Sequence, residues 1–207
     1  MTLYLATENA GKIREMTQIL RAALPQADIR SMTDLDAAQR ARYVADEAGT
    51  TYAANALIKA QALARIVEGI IVADDSGFEV DQLGGAPGVY SARYAGDDRS
   101  RCEKILRALE GKTGEARRAR FIACMAVLEN GKNPVFLFGR KEGYVASAIS
   151  GTNGFGYDPI FCPDQSGPTW GELGAEEKNA DSHRRRALDL MIRFLLGVEK
   201  GDTQYPL

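Results

Sequence analysis

Residues 72–96, VADDSGFEVDQLGGAPGVYSARYAG, open as an apolar run, reach the adjacent carboxylates Asp74 and Asp75, and then turn glycine-rich. Buried acids at a strand end beside flexible backbone are where open α/β sheets commonly bind ligands. With no cysteine or histidine beside them, the pair favours a hard cation over zinc, so magnesium and a phosphate-bearing substrate are the first expectation. Neighbouring strand residues point to opposite faces. Both acids therefore reach one pocket only if the strand has already ended, and one of them is expected to face the site. A carboxylate beside Mg²⁺ holds the metal or deprotonates an attacking water, and either role serves hydrolysis of a phosphoanhydride. The purely structural alternative is an acidic turn in which an Asp caps the following loop.

Three further segments carry residues of matching chemistry. Thr7, Glu8, Asn9, Ala10, Gly11 and Lys12 lie between a strand pattern and a helix pattern. Unpaired backbone N–H groups and the positive end of a helix dipole there receive an anion, and Lys12 adds a full charge. The segment lacks the second glycine and the Lys-Ser/Thr ending of a Walker A loop, and a capped helix start with a surface lysine is the plain alternative. In Gly154-Phe155-Gly156-Tyr157-Asp158-Pro159, two glycines allow close backbone approach and two aromatics offer faces for a base, unless they are simply core. Lys178 and Ser182-His183-Arg184 form a basic group at the start of the last helix. His183 and Arg184 oppose the dipole there unless an acid or anion accompanies them, and a solvated basic surface shared with Arg185 and Arg186 is the alternative. His183 is the only histidine, so neither a histidine triad nor a multi-histidine metal site can be assembled.

The elements that must position these residues are legible in outline. Strand patterns cover residues 2–6, 28–32, 70–74, 119–128 and 134–149, the last two joined across an Asn-Gly hairpin signal at residues 130–131. Helical periodicity appears at Ile13, Met16, Leu20 and Ala23 before Pro25, at Tyr52 to Val67, at Cys102 to Leu109 before Gly111, and at Ala187 to Leu195 before Gly197. Residues 33–49 and 150–168 read as loop. The pattern is one α/β unit with a mixed sheet spanning residues 1–197, followed by a flexible tail at 198–207.

At 207 residues and 45% hydrophobic, the chain can bury a full core without disulfides or structural metal. A net charge of −2 argues against a nucleic-acid polymer as partner. Cys102, Cys124 and Cys162 form no paired framework, which suits a reducing cytoplasm. No run approaches the roughly 18 apolar residues of a membrane span, and the N-terminus lacks a signal-peptide pattern.

Taken together and in order, ATENAGK at 6–12, NALIKA at 55–60, the run at 72–96, GTNGFGYDPIF at 151–161 and EEKNADSHRRRAL at 176–188 resemble the noncanonical purine nucleoside triphosphate pyrophosphatases, the inosine triphosphatase or Ham1-like family. The resemblance covers almost the whole chain. It implies a two-lobed α/β protein with a long mixed β-sheet flanked by helices, a central nucleotide cleft, a homodimer, and Mg²⁺-dependent cleavage of the α–β phosphoanhydride of ITP, dITP or XTP to the nucleoside monophosphate and pyrophosphate. Such an enzyme removes deaminated purines from the nucleotide pool.

By the same resemblance, Asp75 takes the position of the general base and metal-linked acid, with Ser76 contacting substrate and Glu47 as the other metal-binding acid. Lys12 and Lys59 meet the triphosphate, with Thr7 and Asn9 shaping that pocket. Phe155, Gly156, Tyr157 and Asp158 line the base pocket, and Lys178, His183 and Arg184 complete recognition of the base. A donor-rich site suits a 6-oxo purine, because adenine's N6 hydrogens find no acceptor there. Two positions depart from the family pattern. Glu8 puts a carboxylate beside the expected triphosphate, and Ala54 replaces a common acid. The competing enzyme class is the related Maf-like house-cleaning pyrophosphatases, against which the Ser182-His183-Arg184 segment argues. A non-catalytic nucleotide-binding protein is the competing reading outside enzymes.

Overall fold

The computed structural model describes residues 1–198, so the expected flexible tail at 198–207 lies, except for Val198, outside the described residues. The strands β1 (Thr2–Leu5), β2 (Asp28–Ser31), β3 (Ile70–Val80), β4 (Pro87–Gly88), β5 (Arg118–Glu129), β6 (Val135–Val145) and β7 (Phe161–Cys162) form one sheet in the order β2-β1-β3-β5-β6-β7, with β4 paired to β3. β1 runs parallel to β2 and β3, whereas the β3–β4 and β6–β7 pairs are antiparallel. The sheet is therefore mixed, as the sequence predicts. The helices are α1 (Ala10–Ala23), α2 (Ala37–Arg42), α3 (Tyr52–Ala64), α4 (Asp98–Ala108), α5 (Ala175–Ala180) and α6 (His183–Leu195).

The chain divides into two compact units. The first takes Met1–Asp75, Ala123–Gly139 and the chain from Arg184; the second takes Ser76–Ile122 and Arg140–His183. Each has its own core. In the first unit, Leu3 and Leu5 of β1, Val72 of β3 and Met125 of β5 pack with Met16 and Leu20 of α1 and Leu188 and Met191 of α6. That cluster explains why apolar residues recur at helical spacing in α1 and α6. In the second unit, Phe78, Ile105, Leu109, Phe121, Tyr157, Phe161 and Trp170 are buried together, and aromatic stacking organises the group.

Two strand ends and two helices differ from the sequence expectation. β3 runs through Asp74 and Asp75 to Val80 rather than stopping at the acids, because both carboxylates are buried against cations and do not need a solvated turn. α2 and α5 lie in stretches too polar to show periodicity. α2 forms on a capping box, in which the Asp36 side chain accepts from Gln39 N and the Gln39 side chain accepts from Asp36 N. β6 ends at Val145, short of the expected 149.

Candidate functional site

In the first unit, β3 and the helices α1, α3 and α6 bring buried charges together midway along β3. Strand alternation sends the two aspartates to different partners. Asp74 is wholly buried and meets Lys12 Nζ at 3.0 Å and Arg184 Nη2 at 3.2 Å through its Oδ2. Arg184, 1% exposed, also grips Glu15 of α1. Burial alone would raise the Asp74 pKa, but Arg184, Lys12 and Lys59 outweigh it and hold the carboxyl well below the ordinary range. Arg184 is held above its ordinary range against burial by Asp74 and Glu15. The acid expected beside the basic start of α6 is thus Asp74, together with Glu15.

Asp75 meets Lys59 Nζ at 3.0 Å, and the same ammonium lies 2.8 Å from Glu47 Oε2. The other Asp75 oxygen, Oδ2, is buried without a hydrogen-bond partner. Burial raises the Asp75 pKa above the ordinary carboxylate value despite the opposing pull of Lys59 and Lys12. Lys59 stays more strongly protonated than usual, since Asp75 and Glu47 overcome its burial. Lys12 moves down, dominated by burial, although Asp74 opposes the shift.

Local structure explains how these groups are held. Asn9 is the N-cap of α1, accepting from Lys12 N at 3.0 Å, while Thr7 Oγ1 accepts from Asn9 N at 3.3 Å. The structural alternative for this segment is therefore realised, yet Lys12 is no surface lysine, because its side chain turns inward to Asp74. Ala10 and Gly11 open the first turn of α1. Glu8 is exposed, so its charge is not buried beside Lys12. α3 is capped by Thr51, which accepts from Ala54 N, and its Asn55 and Lys59 share a face at i,i+4 spacing. Asn55 Oδ1 accepts from Gly49 N at 2.9 Å, fixing the loop that carries Glu47 while Lys59 grips the carboxylate itself.

A divalent cation fits this donor set. Asp75 Oδ2 is a buried oxygen without a partner, and Glu47 converges on the same ammonium. Among the described residues no group of three or more His, Cys, Asp or Glu could hold a metal. Two carboxylates, with the remaining ligands from substrate phosphates and water, are the usual protein share for Mg²⁺.

The second unit carries the other group. Asp158 is buried and takes Lys178 Nζ at 2.6 Å and Phe155 N at 2.8 Å on its Oδ2. Gly154, at φ +75°, lies so close to the Asp158 carboxylate that a Cβ there would collide with it. The Lys178 ammonium stands 4.9 Å from the Phe155 ring centroid and 5.3 Å from that of Trp170. His183 stacks on Phe121 at 4.8 Å and 15°, with Trp170 at 5.8 Å and 18°. Tyr157 is buried, with its ring stacked on Phe78 and its hydroxyl donating to Ser91 O at 2.8 Å. Tyr157 therefore supports the loop from beneath, and half-buried Phe155 is its accessible aromatic. Ser76, also half-buried, follows Asp75 on β3.

The sequence reading grouped Lys12, Lys59, Glu47 and Asp75 at the phosphates and metal, and Phe155 to Asp158, Lys178, His183 and Arg184 at the base. The structure gathers the first group and keeps Phe155, Asp158, Lys178 and His183 in the second unit, but places Arg184 in the first unit on Asp74 and Glu15. The sequence reading missed Glu15, Phe121 and Trp170. Glu15 had a signal, its i,i+3 spacing from Lys12 on one helix face. The two aromatics had none, because their packing links segments remote in sequence.

Comparison with known proteins agrees with this geometry. The sequence profile of the Ham1 family matches residues 3–194. A dITP/XTP pyrophosphatase of Bacillus subtilis (strain 168) is 42% identical over 195 residues, spanning 92% of this chain and 95% of that protein. One of the same name from Listeria monocytogenes is 41% identical over 205 residues and 98% of each chain. The solved Staphylococcus aureus Ham1 protein superposes with a TM-score of 0.82 at 34% identity, over 96% of this chain and 100% of that one. The chain is a member of the Ham1 family.

Proposed function

We propose that this protein hydrolyses deaminated purine nucleoside triphosphates, dITP, ITP and XTP, to the nucleoside monophosphate and pyrophosphate. The observation that carries the reading is the convergence of Glu47 and Asp75 on Lys59, with one Asp75 oxygen buried and without a partner. Glu47 and Asp75 would hold Mg²⁺, which when bound neutralises phosphate charge and polarises the scissile group. Asp75, made more basic by burial, orients and deprotonates the water that attacks the α-phosphorus. Lys12 and Lys59 exchange carboxylate for phosphate partners and stabilise the departing pyrophosphate. Thr7 and Asn9 shape the phosphate pocket, where the backbone donors of Ala10 and Gly11 in the first turn of α1 meet the phosphates.

Phe155 supplies a stacking face and Lys178 a donor for the 6-oxo group, while His183 is fixed by its ring neighbours. Arg184 acts through Asp74 and Glu15. The names of the dITP/XTP pyrophosphatases at about 42% identity support the substrate class. A cytoplasmic homodimer completes the proposal, supported by the family resemblance and by three free, buried thiols that suit a reducing compartment. Incubation with dITP and Mg²⁺, followed by separation of products, is expected to yield dIMP and pyrophosphate, with no turnover after chelation. Formation of dIDP and orthophosphate, or an undiminished rate in chelator, refutes the reading.

A further inference from the structure

The peptide groups of Gly156 are held on both sides by one helix. Gly156 N donates to Asp98 Oδ2 at 2.7 Å, and Gly156 O accepts from the Cys102 thiol at 3.4 Å. Asp98 and Cys102 are four residues apart on α4 and so share a face. Gly156 has φ +64° and open space where a Cβ would stand, so its glycine answers a backbone conformation rather than crowding. The second Asp98 oxygen takes Arg101 Nη1 at 2.7 Å, and Arg101 Nε donates to Ala95 O at 3.3 Å. Ser91, earlier in that loop, accepts from Phe78 N at 2.8 Å and donates to Gly88 O at 2.6 Å, while its carbonyl receives the Tyr157 hydroxyl. The glycine-rich continuation of the opening acidic run thus holds Tyr157 through Ser91, while α4, tied back to that run by Arg101 on Ala95 O, holds Gly156.

We propose that Asp98 is a positioning residue for base recognition: with Cys102, it clamps Gly156 and so sets where Phe155 and Lys178 present themselves to the purine. The inference rests on the base-reading role given above to Phe155 and Lys178. It assigns Asp98 no contact with substrate. The clamp acts on the base and not on the phosphates, so it separates substrates that carry a base from those that do not.

The test compares wild type, Asp98→Ala and Asp98→Asn, which keeps an acceptor oxygen. In Asp98→Ala, KM for dITP rises about tenfold, the size of one charge-assisted hydrogen bond, with kcat little changed. The inhibition constant of inorganic tripolyphosphate, which has no base, stays at the wild-type value. Asp98→Asn restores most of the KM. Amide exchange at Gly156 quickens in Asp98→Ala, and amides of the first unit are unaffected. An unchanged KM, an equal loss of tripolyphosphate affinity, or unchanged Gly156 exchange overturns the clamp. Should wild type itself leave dITP intact, the proposed function falls, and Gly156 exchange then decides the clamp by itself.

Discussion

Asp75 lies beside an ammonium group, yet its pKa shifts upward because burial outweighs the neighbouring lysines. For an acid whose folded-state pKa is raised, the ionised form is disfavoured by folding, so at neutral pH its charge works against stability. Asp75→Asn removes that charge while Lys59 keeps Glu47 as a partner. The variant is therefore expected to lose turnover by about a thousandfold or more and to melt at or above the wild-type temperature. A melting point several degrees lower, or a rate near that of wild type, would contradict the assignment of Asp75 as a catalytic group that carries unfavourable charge. Lysine at position 59 is the counterpart. Its ammonium holds the Glu47 and Asp75 carboxylates at 2.8 and 3.0 Å and offsets their charge.

At the scale of elements, Asp74 ties β3 to α1 and α6 through Lys12, Glu15 and Arg184. Its pKa lies below the ordinary 3.8, so its contribution to stability is complete above that value and fades as pH falls through it toward the lower folded-state pKa. Asp74→Asn leaves buried cations short of charge and is expected to cost about 3–5 kcal/mol near neutrality. In urea titrations the gap between wild type and variant should hold steady down to about pH 5 and narrow at lower pH. A gap that ignores pH across that range would mean the carboxylate is not the source of the stability. This network also marks what sequence could reveal. The apolar spacing of α1, α3 and α6 and the hairpin before β6 are local signals, and they were legible. The continuation of β3 past its acids was not, because the cations that make burial tolerable include Arg184, 110 residues away. α2 and α5 escaped for a related reason, since short polar helices depend on caps rather than periodicity.

Across the whole molecule, the two kinds of chemistry belong to different units. Asp75, Glu47, Lys59 and Lys12 lie in the first, and Phe155, Asp158, Lys178 and His183 in the second. The chain alternates between units, with Asp75 and Ser76, and again His183 and Arg184, as consecutive residues on opposite sides of the division. Motifs contiguous in sequence therefore serve both, which is why residues 182–184 read as a single basic group before the geometry divided it. On the proposed function, this division makes base selectivity separable from catalysis. Lys178 is a donor on a buried carboxylate beside an aromatic face, the chemistry that accepts a 6-oxo group and leaves adenine's N6 hydrogens without an acceptor. Lys178→Met should lower kcat/KM for dITP by about tenfold or more while leaving the slow rate on dATP nearly constant, so the preference collapses from the dITP side. Asp75→Asn, by contrast, should retain the dITP-over-dATP preference in binding while losing turnover. If Lys178→Met slows both nucleotides equally, the lysine serves the phosphates or the fold, and selectivity for the base must come from elsewhere in the second unit.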